Sequence, residues 1–132
     1  MVANDAGERT LSLTGYRVLV VEDEYFIADD LRSALERCGA EVAGPVGCPG
    51  EATALLDGDA PIHLAVLDID LHGEPAYGLA ETLRERGVPF VFATGYGADF
   101  IPAAYAAVPR WEKPYHYETL LAALPLMGPA AR

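Results

Sequence analysis

The stretch Leu64-Ala65-Val66-Leu67-Asp68-Ile69-Asp70-Leu71-His72-Gly73 decides how the chain is read. Four apolar residues run directly into a carboxylate, and the apolar character then breaks before a glycine. This is the pattern of a buried strand that surfaces at one end of a parallel sheet. A strand over residues 62–67 is therefore expected, with Asp68 at its mouth. Ligands of open α/β sheets bind outside the carboxyl ends of the strands, so an acid placed there is a candidate for chemistry.

Upstream, Tyr16-Arg17-Val18-Leu19-Val20-Val21 is a second such run, and it stops abruptly at Glu22-Asp23-Glu24. Over residues 25–38 the apolar positions Ile27, Leu31, Ala34, Leu35 and Cys38 recur at helical spacing, and Gly39 supplies a stop. Residues 41–44 form a short second strand, 45–50 a turn-rich connection and 51–56 a second helix. Downstream of the central stretch, a loop through His72-Gly73-Glu74-Pro75 leads to a helix bearing Leu79, Ala80 and Leu83, which Gly87 ends. Residues 88–93 make a fourth strand in which Pro89 is tolerable only near the start. Gly95, Gly97, Pro102 and Pro109 then oppose a long helix and leave room for a short one over 103–108. Residues 110–112 form a fifth strand, and Tyr117, Leu120, Leu121 and Leu124 mark a last helix that Pro125 ends.

Strands alternating with helices imply a parallel sheet covered on both faces with right-handed crossovers. The expected architecture is an α/β, flavodoxin-like, doubly wound five-stranded sheet of order 2-1-3-4-5 with an irregular fourth crossover. That order sets strands one and three side by side, so Glu22, Asp23 and Asp68 converge at their carboxyl ends.

At 132 residues the chain fits one domain, expected over 15–126 with a polar leader at 1–14 and a small tail at 127–132. Hydrophobic residues make up 52% of it, enough for a core, but no apolar run approaches the ~18 residues of a membrane span. The leader carries Asn4, Asp5, Glu8 and Arg9 with no apolar segment, so a soluble, cytoplasmic protein without a membrane association is expected. A formal charge of −11 with no basic patch argues against nucleic acid as a partner. Cys38 and Cys48 fit no metal spacing and read as free thiols, while His63, His72 and His116 are too scattered for a ligand set. Trp111 reads as core or partner surface, and Glu24 as a solvated acid favouring a helix N-terminus.

Three carboxylates within a few ångströms cannot all stay ionised without help, and a hard divalent cation supplies it. Magnesium, which takes few carboxylates and keeps waters and phosphate oxygens, suits a shallow acidic cleft. Thr94 at the end of strand four and Lys113-Pro114 after strand five bring a hydroxyl and a cation to the same rim. Such a set matches a transferred phosphoryl group, whose charge is spread over three oxygens.

Together, Val18-Leu19-Val20-Val21-Glu22-Asp23-Glu24, Leu67-Asp68-Ile69-Asp70-Leu71, Phe92-Ala93-Thr94-Gly95 and Glu112-Lys113-Pro114-Tyr115 resemble the receiver domain of two-component response regulators. The resemblance covers residues 16–124. It implies that Asp68 is the phosphoacceptor and that Asp23 and Asp68 ligate Mg2+ directly. It further implies a backbone carbonyl ligand from Asp70, and Glu22 acting through a metal-bound water. Thr94 and Lys113 would hold phosphoryl oxygens, and the Lys113-Pro114 bond would be cis. More narrowly, Phe92-Ala93-Thr94-Gly95-Tyr96-Gly97 with Lys113-Pro114-Tyr115 and Leu120 resembles the FAT GUY subgroup, associated with alphaproteobacterial stress and light signalling and with altered structure after strand four.

Two departures from the family pattern stand out. Arg110 falls where family members often carry an aromatic switch residue, and His72 where many carry proline. In receivers the positions two beyond the acceptor and the threonine border the path of attacking water, so the resemblance makes Asp70 and Tyr96 candidates to tune the phosphoryl lifetime, with ordinary exposed loop residues as the alternative.

The implied function is a stand-alone receiver that takes a phosphoryl group from a histidine kinase or phosphotransfer protein onto Asp68. It would act through protein docking, with a homodimer possible, the downstream partner unnamed and no independent substrate turnover. Two alternatives stay open: a degenerate receiver used as a binding module, and a haloacid-dehalogenase-like phosphatase in which Asp68-Ile69-Asp70 would supply nucleophile and acid.

Overall fold

A computed structural model describes residues 12–71, 74–95 and 101–126 of the chain. Readings attached to His72, Gly73, Tyr96 and Gly97, to residues 1–11 and to the tail at 127–132 lie outside the described residues. The strands are β1 (Arg17–Val21), β2 (Glu41–Val46), β3 (Leu64–Leu67), β4 (Asp70–Leu71), β5 (Glu74–Pro75), β6 (Phe90–Thr94) and β7 (Arg110–Glu112). The helices are α1 (Tyr25–Arg37), α2 (Pro49–Leu56), α3 (Tyr77–Glu85) and α4 (Tyr117–Ala123). Five strands form one parallel sheet in the order β2-β1-β3-β6-β7, which is the expected 2-1-3-4-5 order of a flavodoxin-like fold.

The continuous apolar runs of β1, β3 and β6 follow from burial on both faces. Alternate residues point to opposite sides of a sheet. Val18, Val20, Leu64, Val66, Val91 and Ala93 thus pack with Leu31 and Leu35 of α1 and Leu120 and Leu121 of α4. Leu19, Val21, Ala65, Leu67, Phe90 and Phe92 face the other way, against Leu79, Ala80 and Leu83 of α3 and Ala52 of α2. Leu13, assigned to the polar leader by sequence, is fully buried in the first of these cores and its N–H donates to the Cys38 carbonyl at 2.6 Å.

Several boundaries move for identifiable reasons. Strand β2 runs on to Val46 through a cis Gly44-Pro45 bond, and its register against β1 shifts between Leu19 and Val21. Helix α2 starts at Pro49, ahead of the expected 51, because proline suits a helix's first turn. Strand β6 starts at Phe90, just after Pro89, whose carbonyl still accepts the Ala65 N–H at 3.0 Å, and extends to include Thr94. The segment read as a plain loop after Asp70 contains the antiparallel ribbon β4·β5, too short to show any hydrophobic alternation. Helix α4 passes into a 3-10 turn, Leu124–Leu126, that accommodates Pro125.

Between β6 and β7, the short helix expected over 103–108 is only a 3-10 turn, Ala103–Tyr105. Tyr105 anchors it. The ring stacks on Tyr77 with centroids 5.5 Å apart, its hydroxyl donates to Glu81 at 3.1 Å, and Arg84 lies over its face at 4.4 Å. No helix among the described residues is long and apolar enough to cross a membrane.

Gly39 ends α1 with φ +94°, a left-handed conformation that L side chains rarely adopt, and a Cβ there would lie 2.5 Å from the Thr14 hydroxyl oxygen. Gly39→Ala is expected to destabilise the fold by about 1–2 kcal/mol, read as a lower urea midpoint with unchanged cooperativity.

Candidate functional site

Backbone bonds between neighbouring strand ends bring the acids together. The Asp68 N–H donates to the Val21 carbonyl at 2.8 Å and the Glu22 N–H to the Val46 carbonyl at 2.9 Å, tying the ends of β3, β1 and β2 to one another. The Lys113 N–H donates to the Thr94 carbonyl at 2.8 Å, which does the same for β7 and β6. Glu22 and Asp68 are each 5% exposed and Thr94 is fully buried. A cleft of about 750 Å³ opens between these ends, lined by Asp23, Glu24, Ile27, Asp68, Asp70, Thr94, Lys113, Tyr115 and Tyr117 among others.

The Lys113 ammonium is the hub of the cluster. It lies 2.9 Å from Asp68 Oδ2, 2.9 Å from Glu22 Oε1 and 2.8 Å from Glu24 Oε1. The Lys113-Pro114 bond that precedes the cleft wall is cis, as the family resemblance implies. Asp68 Oδ1 accepts from the Asp70 N–H at 3.2 Å, and Glu22 Oε2 accepts from the Glu24 N–H at 3.0 Å, so both carboxylates are oriented by backbone two residues on.

Six of the sequence-derived site residues therefore reach one rim: Asp23, Asp68, Asp70, Thr94 and Lys113 line the cleft, and Glu22 joins through Lys113. The carboxylates close enough to share one ion differ from the expected direct pair. Among the described residues they are Glu22, Glu24 and Asp68, with oxygens within 4.8 Å of one another, while Asp23 lines the wall beside them. Glu24 is the residue that sequence reasoning missed. It sits at the N-cap of α1 without capping it, and its carboxylate, although exposed, turns to Lys113.

One ammonium among three carboxylates leaves the cluster short of positive charge, and the two sides respond in opposite ways. Burial works against the Lys113 charge, but hydrogen bonds to Glu24, Glu22 and Asp68 outweigh it and hold its pKa above the ordinary lysine value. Glu22 is pushed up from 4.5 to about 7, chiefly by burial, with the Asp68 charge adding to the effect and the Lys113 hydrogen bond opposing it. Such a donor set, hard oxygens with unbalanced negative charge, fits a divalent cation.

A pH dependence follows. Between 4.5 and about 7 folded Glu22 holds a proton that the unfolded chain has lost, so stability falls as pH rises through this window. Without divalent cations, the protein is expected to be less stable near pH 8 than near pH 5 by on the order of 1–2 kcal/mol from this group. Urea unfolding of Glu22→Gln checks it: the variant should lose this slope, and an unchanged slope would refute the assignment.

No family model matches the chain. It is similar in structure to SdrG from Sphingomonas melonis Fr1, 35% identical, with 80% of this chain and 89% of that one covered and a TM-score of 0.70. It is also similar to a response regulator receiver protein from Sinorhizobium medicae WSM419, 26% identical, covering 87% and 95% of the two chains with a TM-score of 0.73. The chain belongs to the response regulator receiver family. Sequence comparison agrees, since the receiver is 35% identical over 83 residues to the sensory transduction protein LytT of Bacillus anthracis, a match over 61% of this chain. The receiver spans about a third of the length of the curated relatives it matches, 35% and 33% of each.

The departure at Arg110 also gains a structural context. Arg110 begins β7 opposite Phe92, and among the described residues of the β6–β7 crossover the buried aromatic is Tyr105, held by α3. Trp111 packs against the core with its indole N–H donating to Thr119 at 3.0 Å, and His63 Nδ1 accepts the Arg17 N–H at 2.9 Å, so neither needs a cofactor to explain it.

Proposed function

We propose that this receiver accepts a phosphoryl group from a histidine kinase or phosphotransfer protein onto Asp68 and signals through protein docking. The observation that carries the reading is the Lys113 ammonium 2.9 Å from Asp68 Oδ2 at the carboxyl end of β3, inside an acid-lined cleft. In the step itself, an Asp68 carboxylate oxygen forms a bond to phosphorus as the N–P bond of a phosphohistidine breaks, and the departing histidine nitrogen takes up a proton. Lys113 balances charge on the phosphoryl oxygens, Thr94 donates to one of them, and the Asp70 N–H holds the acceptor carboxylate in line. Hydrolysis returns the free carboxylate and inorganic phosphate.

Magnesium would be held by Asp23 and Asp68 with the Asp70 carbonyl and Glu22 in support, and it supplies positive charge that three carboxylates and one lysine lack. Glu24 keeps Lys113 engaged until phosphoryl oxygens replace it. Phe92-Ala93-Thr94-Gly95 and Lys113-Pro114-Tyr115 support placing the receiver in the FAT GUY subgroup. A charge of −11 favours protein partners over nucleic acid.

Phosphotransfer profiling against the host's histidine kinases tests the proposal. At least one kinase should transfer label to the protein, and only with a divalent cation present. Silence from all of them, with the fold intact, would favour a receiver that serves only as a binding module.

A further inference from the structure

The wall of the cleft contains a polar group that the mechanism above does not use. The Tyr115 side chain, just beyond the cis Lys113-Pro114 bond, lines the same cleft as Asp68, Thr94 and Lys113. Its hydroxyl oxygen is buried and has no hydrogen-bond partner among the described residues. The other such atom, Arg17 Nε, faces a Glu41 carboxylate at 3.7 Å and so has a charge partner.

Packing does not account for the hydroxyl. The Tyr115 ring lies edge-on to Tyr117 at 5.3 Å and covers the first core, work that a phenylalanine performs equally well. A buried donor left unmade costs the fold free energy, and in a native protein it asks for an explanation, one of which is a ligand or ion that completes the bond. Tyr115 shares the cleft lining with Asp68, Thr94 and Lys113, which puts the phenol on the same wall as the reacting groups. Burial, first among the causes, raises its pKa, which keeps it a donor at physiological pH.

We propose that Tyr115 is a further phosphoryl-binding residue: its hydroxyl donates a hydrogen bond to an anionic oxygen held in the cleft beside Asp68 and Lys113. The inference rests on the phosphoacceptor reading of Asp68 and adds to it a residue whose hydroxyl idles in the unphosphorylated protein and is satisfied in the phosphorylated one.

Titration of the full chain with beryllofluoride in the presence of Mg2+ tests this, comparing wild type, Tyr115→Phe, Tyr117→Phe and Asp68→Asn. Tyr115→Phe should bind beryllofluoride about tenfold more weakly. Its affinity for Mg2+ alone should be unchanged, and its melting temperature without ligand equal or higher, because an unsatisfied buried group has been removed. Tyr117→Phe should match wild type. Wild-type affinity in Tyr115→Phe, alongside loss of binding in Asp68→Asn, would overturn the inference and leave the phosphoacceptor reading standing. A lower melting temperature with equally weakened Mg2+ binding, or an equal loss in Tyr117→Phe, would also overturn it, and failure of wild type to bind beryllofluoride would overturn both readings.

Discussion

Asp68→Asn is expected to reduce phosphate incorporation, from acetyl phosphate or from a cognate kinase, to background, a loss of at least about a thousandfold. The amide has no anionic oxygen to attack phosphorus. Glu22 is buried and raised to about 7, so part of its population is protonated near neutrality, and Glu24 is exposed at the rim. The substitution keeps an acceptor for the Asp70 N–H, now at 3.2 Å, and removes one of the three negative charges around Lys113. The unfolding midpoint without cations should therefore hold or rise while incorporation vanishes. Label that persists on the variant would mean a different acceptor.

Lys113→Met is expected to act on both stability and function. Glu22 and Asp68 are each 5% exposed, and the lysine is their shared cation. Removing one partner of a buried ion pair costs more than the pair contributes, because the charge left behind stays desolvated. Near neutral pH and without divalent cations, a loss of about 3 kcal/mol is expected. Glu24, 59% exposed on its side chain, contributes little of this, since solvent screens it. Mg2+ should restore much of the lost stability by supplying charge to the same carboxylates, but not phosphotransfer, which also needs the ammonium opposite the phosphoryl oxygens. Paired urea unfolding curves with and without Mg2+ check this, and equal curves for wild type and variant would show that the cluster is not held as described.

The parts of the fold legible in the sequence are those where local pattern and tertiary burial agree. Strands β1, β3 and β6 read as apolar runs because helices cover both of their faces, and each run's polar end marks the rim where Glu22, Asp68 and Thr94 lie. The pairing of Glu24 with Lys113 was not legible, because the two residues are 89 positions apart and a glutamate at a helix start has an ordinary local explanation. Tyr105 was hidden for a similar reason: its place between Pro102 and Pro109 signals irregular backbone, while its order comes from Tyr77, Glu81 and Arg84 on another element. Leu13 falls within the stretch read as a polar leader, and its place in the core comes from contacts with residues far along the chain, marked by its backbone bond to Cys38. The extension of β2 through Gly44-Pro45 runs against the usual meaning of that dipeptide as a turn, and only an edge strand tolerates it.

The measurement that bears most directly on the account is location of the phosphoryl group. The protein is incubated with acetyl phosphate and Mg2+, the acyl phosphate is trapped by borohydride reduction, and the modified position is read by tandem mass spectrometry. The account predicts a single modified residue, Asp68, and no modification when Mg2+ is chelated. Modification at any other residue, or none on a folded protein with Mg2+ present, would contradict it.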